Sequence, residues 1–102
     1  MMGKAMFRLG LEKFAKIYIL NPKKAKKKFK RYADFELFLS TYAVDVLART
    51  SSNTCPFCEK KFNSRRSLVG HLKGEHGCAV EFRQLIMRLV EEYLIWLTAR
   101  RT

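Results

Sequence analysis

Residues 55–76 read CPFCEKKFNSRRSLVGHLKGEH, and the spacing of their cysteines and histidines decides the predicted fold. Cys55 and Cys58 are separated by two residues, twelve residues then precede His71, and four more precede His76. A Cys-x-x-Cys turn aims two thiolates at one point, and two histidines about one helical turn apart present their imidazoles from the same face. Four such ligands suit Zn(II) and leave no open coordination position. The spacing therefore predicts one structural Zn2+ ion held by Cys55, Cys58, His71 and His76.

Two apolar residues extend the pattern beyond the ligands. Phe62 lies four residues after Cys58, and Leu68 lies six after Phe62. With them, residues 53–77, about a quarter of the chain, resemble the Cys2His2 zinc finger family. The resemblance implies a ββα fold with the cysteines on a β-hairpin, the histidines on a helix, and Phe62 and Leu68 in a small core. Family members usually carry an aromatic residue where this chain has Asn53, so part of that core must come from elsewhere, such as a neighbouring helix.

Cys78 is left over from this pattern, two residues beyond His76. It is interpreted first as a small buried hydrophobic residue at the start of the following helix. Two alternatives stay open: Cys78 replaces His76 as the fourth ligand, or it links two chains on oxidation.

The resemblance also implies which residues face DNA. In DNA-binding fingers, helix positions −1, 3 and 6 contact successive base edges, and here they are Ser64, Ser67 and Gly70. Glycine has no side chain and serine discriminates poorly between bases, so little base specificity is expected. Nearby basic residues are better suited to phosphate contacts, and they are Lys60, Lys61, Arg65, Arg66 and Lys73.

A basic segment lies outside the finger. The chain has 102 residues and a formal net charge of +12, of which +10 falls in residues 1–32, with 11 basic side chains and 1 acidic. We call residues 23–31 the basic arm, and its seven cations are Lys23, Lys24, Lys26, Lys27, Lys28, Lys30 and Arg31. Such a run attracts a polyanion and releases its counterions on contact, so nucleic acid is the expected partner. A solvated helix surface, a nuclear localisation signal and an anionic membrane surface are the alternatives.

Apolar periodicity predicts helices on both sides of the finger. The first is predicted over Lys4–Leu20, where Phe7, Leu11, Phe14 and Tyr18 recur at three- and four-residue steps, with a short strand over 16–20 as the alternative. Asn21 as N-cap and Pro22 at the first helical position predict the start of a second helix, which runs to about Arg49 and whose apolar residues are Phe29, Tyr32, Phe35, Leu39, Tyr42 and Val46. A third is predicted over Ala79–Ala99, with Phe82, Ile86, Leu89, Tyr93 and Trp96 at the same steps. Residues 49–54 are rich in Ser, Thr and Asn and predict a linker. The predicted fold is therefore mainly α with one small ββα zinc finger, divided into a basic helical segment (1–50), the finger (51–77) and a C-terminal amphipathic helix (78–102).

The third helix is apolar nearly all round in its last turns. One face of a neighbour cannot cover that surface alone. Either the helices of residues 4–49 pack on it, or residues 79–99 pair with a second copy in a homodimer.

Composition excludes several classes of protein. An odd number of cysteines argues against a disulfide scaffold, and the sequence holds no apolar stretch long enough to cross a bilayer. With both histidines assigned to zinc, no catalytic set remains, so an enzyme is not expected. We expect an intracellular protein, nuclear in a eukaryote or in the host cytoplasm or nucleoid for an archaeal or viral source. A short basic chain with one finger between helices resembles small zinc finger regulators of archaea and their viruses.

The function predicted from these features is zinc-dependent DNA binding and transcriptional regulation, with the basic arm supplying phosphate contacts and double-stranded DNA as partner. Two alternatives remain open at this point. RNA could replace DNA as the ligand, or the finger and the third helix could contact another protein.

Overall fold

The computed structural model describes residues 3–28, 32–74 and 76–100, with side chains described for these residues except 3–6, 28 and 100. Six helices lie in this part of the chain. They are α1 (Gly3–Leu20), α2 (Pro22–Lys28), α3 (Ala33–Tyr42), α4 (Val44–Ser51), α5 (Arg65–Lys73) and α6 (Ala79–Arg100).

Helix α1 confirms the first predicted helix. Leu11, Phe14 and Tyr18 are buried as the periodicity predicts, whereas Phe7 is 45% exposed. Gly10, which weakens a helix, has a packing reason: a Cβ there would collide with the hydroxyl of Tyr32. Glycine at this position therefore lets the Tyr32 side chain, directly before α3, pack closely against α1.

The boundary at Asn21-Pro22 is also confirmed. The Asn21 side chain accepts a hydrogen bond from the Lys24 backbone N–H at 3.2 Å, and α2 begins with Pro22. Proline at the first helical position loses no bond, because its missing N–H would have had no intrahelical partner. Helix α2 packs against α1 and carries five of the seven cations of the basic arm.

The prediction of one continuous second helix was wrong, because the chain bends at Ala43 between α3 and α4. The hydroxyls of Ser40 and Thr41 donate to the Leu37 carbonyl oxygen at 2.8 and 3.1 Å. Such side-chain bonds compete with the helical ladder and bend it. The bend leaves Tyr42 exposed although its spacing predicted a packed face, while Ala43 is buried. Phe29, part of the same predicted face, lies outside the described residues.

Helix α6 confirms the third predicted helix and is the centre of the core. Phe82, Ile86, Leu89 and Tyr93 are buried, and Trp96 is half-buried. Helices α1, α3 and α5 all pack against it. The chain's own helices therefore supply the first of the two predicted covers, and the homodimer through residues 79–99 stays a prediction. Exposed apolar side chains remain on this helix, at Val80, Met87 and Ile95.

An aromatic cluster joins α6 to α1 and α3. The rings of Phe35 and Tyr93 lie 4.5 Å apart, those of Phe38 and Trp96 5.6 Å, and those of Phe14 and Phe35 5.7 Å. Aromatic pairs at such separations contribute about 0.5–1.5 kcal/mol each beyond the area they bury. The core reaches into all three predicted segments, since one buried cluster also includes Cys55, Leu68 and Leu72.

The predicted ββα finger is corrected by the structure. No strand forms in the described residues, and residues 54–62 hold only an isolated antiparallel bridge between Thr54 and Lys61. Asn53 and Glu59 have φ angles of 59° and 63°, in the left-handed region, which breaks extended backbone close to each side of the bridge. Antiparallel pairing is thus limited to this one bridge, and among the described residues only the helix of the predicted finger forms as a regular element.

None of the helices in the described part of the chain combines the length and apolar character that crossing a membrane requires.

Candidate metal centre

Cys55 and Cys58 lie in a tight turn over residues 54–61, which follows α4 closely and which we call the metal-binding turn. Helix α4 extends to Ser51, so the predicted linker shrinks to residues 52–54. The turn is closed by bonds from the Cys55 N–H to the Lys60 carbonyl at 2.9 Å and from the Glu59 N–H to the Cys55 carbonyl at 3.0 Å. Its left-handed residue, Glu59, turns the backbone back toward the first cysteine.

Arg49 ties this turn to the end of α4. One guanidinium nitrogen donates to the Pro56 carbonyl at 3.2 Å, and the other lies 3.4 Å from a carboxylate oxygen of Glu59. Both partners of the ion pair are largely exposed, so its contribution to stability is small. The contacts position the turn against the helical core.

Backbone amides point at both sulfur atoms of the turn. The Phe57 N–H donates to Cys55 Sγ at 3.4 Å. The Lys60 N–H makes the equivalent bond to Cys58 Sγ, and this bond is the main reason the pKa of Cys58 lies below its usual value. Amide donors stabilise thiolate over thiol, so the turn favours the form that binds metal.

His71 enters the site from the last turns of α5. Ser64 caps the start of this helix by accepting a bond from the Ser67 N–H at 3.2 Å, and Leu68 and Leu72 anchor its inner face in the core. The ring of Phe62 lies 5.0 Å from the imidazole, and His71 Nε2 lies 3.4 Å from Cys58 Sγ. The histidine is thus held with Nε2 facing the first pair of thiols.

Cys78, not His76, completes the group. The ligand atoms of Cys55, Cys58, His71 and Cys78 all lie within 4.8 Å of one another. Burial, together with the neighbouring thiols, raises the pKa of Cys78 to about 12. Three sulfur atoms this close cannot all carry a negative charge without a cation among them. The group therefore offers three thiols and one imidazole to a single ion.

The distances fit a tetrahedral zinc ion. Zn–S bonds of about 2.3 Å and Zn–N bonds of about 2.0–2.1 Å place tetrahedral ligand atoms roughly 3.5 Å (S to N) or 3.8 Å (S to S) apart. The separation of 3.4 Å between Cys58 Sγ and His71 Nε2 is close to the first value, and the span of 4.8 Å accommodates the second. A Cys3His set is one of the standard structural zinc sites. The group can hold one structural metal ion.

His76 is exposed and lies outside this group, which corrects its assignment as the fourth ligand. The reason is the position at which α5 ends. The helix stops at Lys73, and Gly74, with ψ 149°, leads the backbone away from the helical path. His76 therefore does not share a helix face with His71. The chain instead turns back, and the Cys78 N–H bonds to the His71 carbonyl at 3.0 Å.

Gly77 is the residue that permits this return. A Cβ at this position would collide with the carbonyl oxygen of His71 and lie 2.9 Å from its Nδ1. Only glycine lets the backbone pass so close to the ligand. The sequence did contain a feature that favours Cys78, namely the glycine directly before it. That feature becomes informative only when the fold shows how close Gly77 lies to His71.

Replacing Gly77 with Ala should lower zinc affinity by about 10- to 100-fold, because the new methyl group must displace either His71 or Cys78. Gly70→Ala is the matched control. Gly70 is exposed within α5, a Cβ there would meet nothing within 4 Å beyond its chain neighbours and the helix's own backbone, and alanine should stabilise the helix by about 0.5–1 kcal/mol. Competition with a chromophoric zinc chelator measures both variants. Equal affinities for the two would contradict this role of Gly77.

The predicted nucleic-acid residues are divided between two places. Those of the finger region lie on the metal-binding turn and α5, and those of the basic arm lie on α2 as far as they are described. The exposed ones are Lys60, Lys61, Ser64, Arg66, Ser67, Lys73, Lys23, Lys24, Lys26 and Lys27. The Lys28 side chain, and the whole of Lys30 and Arg31, lie outside what the structure describes.

Several of these side chains already have partners. The hydroxyl of Ser64 hydrogen-bonds that of Ser67 at 3.0 Å in addition to capping α5. Lys26 pairs with Glu36 at 3.3 Å, and the Lys60 ammonium lies 5.4 Å from the centre of the Phe62 ring. Arg65 is half-buried, and its Nη1 is buried without a hydrogen-bond partner among the described residues. The two serines are thus engaged in folding α5, which leaves little side-chain chemistry at positions −1, 3 and 6.

Comparison with known proteins adds no relative. No protein-family model matches the chain, and neither a curated protein nor a solved structure is significantly similar to it. The resemblance to Cys2His2 fingers therefore rests on ligand spacing, and the Cys3His group in the structure does not identify that family.

Proposed function

We propose that this protein binds one structural zinc ion through Cys55, Cys58, His71 and Cys78, and uses the folded chain to bind double-stranded DNA as a transcriptional regulator. The observation that carries DNA binding is the lysine surface of α2. Lys23, Lys24 and Lys27 are exposed and form no ion pair with a described carboxylate. Unpaired lysines packed this densely on one short helix attract phosphates and gain entropy from released counterions.

Four protein ligands leave zinc in such a site no open coordination position for a substrate. Its role there is therefore to stabilise the fold. The chain's own residues then do the binding. Arg66, Lys60 and Lys61 lie around the metal-binding turn and the first turn of α5, where exposed cations suit phosphate contacts. The basic arm adds affinity without sequence information. Binding with little sequence preference follows, because the finger's reading positions offer Ser64, which caps α5, Ser67, whose hydroxyl is hydrogen-bonded to Ser64, and one glycine.

One observation favours a second candidate, a module that binds another protein. The engaged hydroxyls of Ser64 and Ser67 remove base-reading groups from α5, while Leu37, Tyr42 and Val44 expose apolar surface along α3 and α4. Apolar surface of this kind suits a protein partner better than a duplex. Measuring the affinity of the protein for duplex DNA and for duplex RNA separates these candidates. A protein-binding module should bind neither nucleic acid.

Duplex binding should depend steeply on salt. Six to ten phosphate contacts give a log–log slope of affinity against salt of roughly −5 to −9, and substituting alanine at Lys23, Lys24 and Lys27 together should make it shallower by about 3. Fluorescence anisotropy with a labelled duplex over a range of salt concentrations measures both slopes.

The control for this test is a variant with alanine at Arg8, Lys13 and Arg88, which are exposed cations on α1 and α6. These three substitutions remove the same charge as those in the basic arm. A smaller change in slope is expected for it. A wild-type slope shallower than about −2, or equal effects of the two variants, would contradict the role of the basic arm.

A further inference from the structure

Three basic side chains from three different helices surround one groove. A depression of about 280 Å3 lies where α1, α5 and α6 meet, and it is lined by Lys16, Leu72, Lys73, Ala79, Phe82 and Arg83. A second depression of about 430 Å3 shares Lys73, Ala79 and Arg83 with it and adds Val80 and Gln84. We call the two together the α5–α6 groove. Its cations are far apart in sequence, so no charge run reveals it.

The charges in this groove have one sign. Acidic side chains are absent from the described lining of both depressions, and Glu81, the acid in the first turn of α6, lines neither. None of the three cations forms an ion pair with a described carboxylate. Leu72 and Phe82 are buried and give the groove an apolar floor. Unneutralised cations over a low-dielectric floor attract an anion more strongly than the same charges on an open surface.

The metal centre shapes this groove. Lys73 ends α5, and five residues later Cys78 returns to bond the His71 carbonyl at 3.0 Å, directly before α6 begins at Ala79. That bond sets the turn between α5 and α6 and so brings Lys73 and Arg83 to the same opening. The position of the groove beside the metal-binding module, on helices that the basic arm does not include, makes it a second contact region rather than an extension of the arm.

We propose that the α5–α6 groove binds phosphate groups of the DNA backbone through Lys16, Lys73 and Arg83. This inference rests on the proposed function, because it assigns the duplex a second set of phosphate contacts. Arginine suits this position because its planar guanidinium donates two parallel hydrogen bonds to one phosphate, and the lysines supply point charges. Two contact regions would fix the orientation of the duplex, which one set of lysines on a short helix cannot do.

The test compares two double variants with equal loss of charge on the same two helices. The groove variant carries Lys16→Ala and Arg83→Ala, and the control carries Lys13→Ala and Arg88→Ala, whose side chains are exposed and line neither depression. At about 0.1 M salt the groove variant should bind a 20-base-pair duplex roughly 50-fold more weakly, with a salt slope shallower by about 2. The control should lose less than about fivefold. Circular dichroism in zinc confirms that both variants fold.

A second experiment distinguishes failure of this proposal from failure of the function on which it rests. Backbone and side-chain NMR shifts of the wild-type protein are followed during titration with the duplex and, separately, with inorganic tripolyphosphate. Duplex binding with equal losses in the two variants overturns the groove and leaves DNA binding intact. Shifts at Lys16, Lys73 and Arg83 with tripolyphosphate but no duplex binding keep a phosphate site and overturn DNA binding. Failure of both ligands overturns both.

Discussion

Replacing Cys78 with Ser should lower zinc affinity by about 100-fold, whereas replacing His76 with Ala should change it by less than about threefold. Structural zinc sites contribute about 10–16 kcal/mol through four ligands, so one ligand accounts for roughly 3 kcal/mol, which corresponds to about 100-fold. Cys78 belongs to the four-residue group, and His76 is exposed outside it. Competition with a chromophoric chelator at neutral pH measures the two affinities.

Two controls make this comparison decisive. Cys55→Ser removes a ligand common to both assignments and should match the loss in Cys78→Ser. Replacing zinc by Co2+ gives absorption bands whose intensity follows the number of thiolates bound to the ion. The intensity should therefore correspond to three thiolates in the wild type and to two in Cys78→Ser. A large loss in His76→Ala with an unaffected Cys78→Ser would restore the Cys2His2 assignment.

Removing the metal should unfold residues 52–78 while α1, α3 and α6 keep their helical structure. The metal-binding segment buries few large side chains of its own, chiefly Leu68 and Leu72, and a unit of this size does not fold without metal. The aromatic cluster around Phe14, Phe35 and Tyr93 lies between helices and does not include a ligand. Amide NMR spectra with and without a strong chelator should show loss of dispersion confined to residues 52–78, and zinc should restore it.

Acid should have the same effect as the chelator, since protons compete with zinc for the thiols. The pKa of Cys78 is raised to about 12 without metal, so binding at neutral pH must release its proton. Affinity should therefore rise with pH, by about tenfold per unit for each proton released, and fall as the solution is acidified. Spectra that do not change with chelator or acid would contradict the metal assignment. Cooperative loss of all the helices would instead show that the shared core depends on zinc.

Helices are the part of this fold that sequence periodicity predicts well. Bounds for α1 and α6 agree with the predicted helices to within one residue at each end, because both have apolar residues at three- and four-residue steps that meet one core. The bend at Ala43 was missed, since it depends on hydroxyl bonds from Ser40 and Thr41 that no periodicity contains. The limit of strand pairing to one bridge was missed for a similar reason, since it depends on the left-handed backbone of Asn53 and Glu59.

The candidate site divides in the same way. Three of the four predicted ligands, Cys55, Cys58 and His71, come together as predicted, because a Cys-x-x-Cys turn and a capped helix are local structures. The fourth depends on where α5 ends and how the chain returns. A glycine at position 77 decides that return, and its importance is visible only once His71 lies against it.

The sequence by itself thus determined three members of the candidate metal group, the helical class and the basic character of the N-terminal third, since each follows from residues close together in the chain. Only the tertiary structure decided which residue is the fourth member of that group, what covers α6, and that Lys16, Lys73 and Arg83 meet at one groove. The physical reason is sequence distance. Contacts between elements tens of residues apart arise from packing α1, α5 and α6 around one apolar core, and no local pattern encodes which side chains remain at its edge.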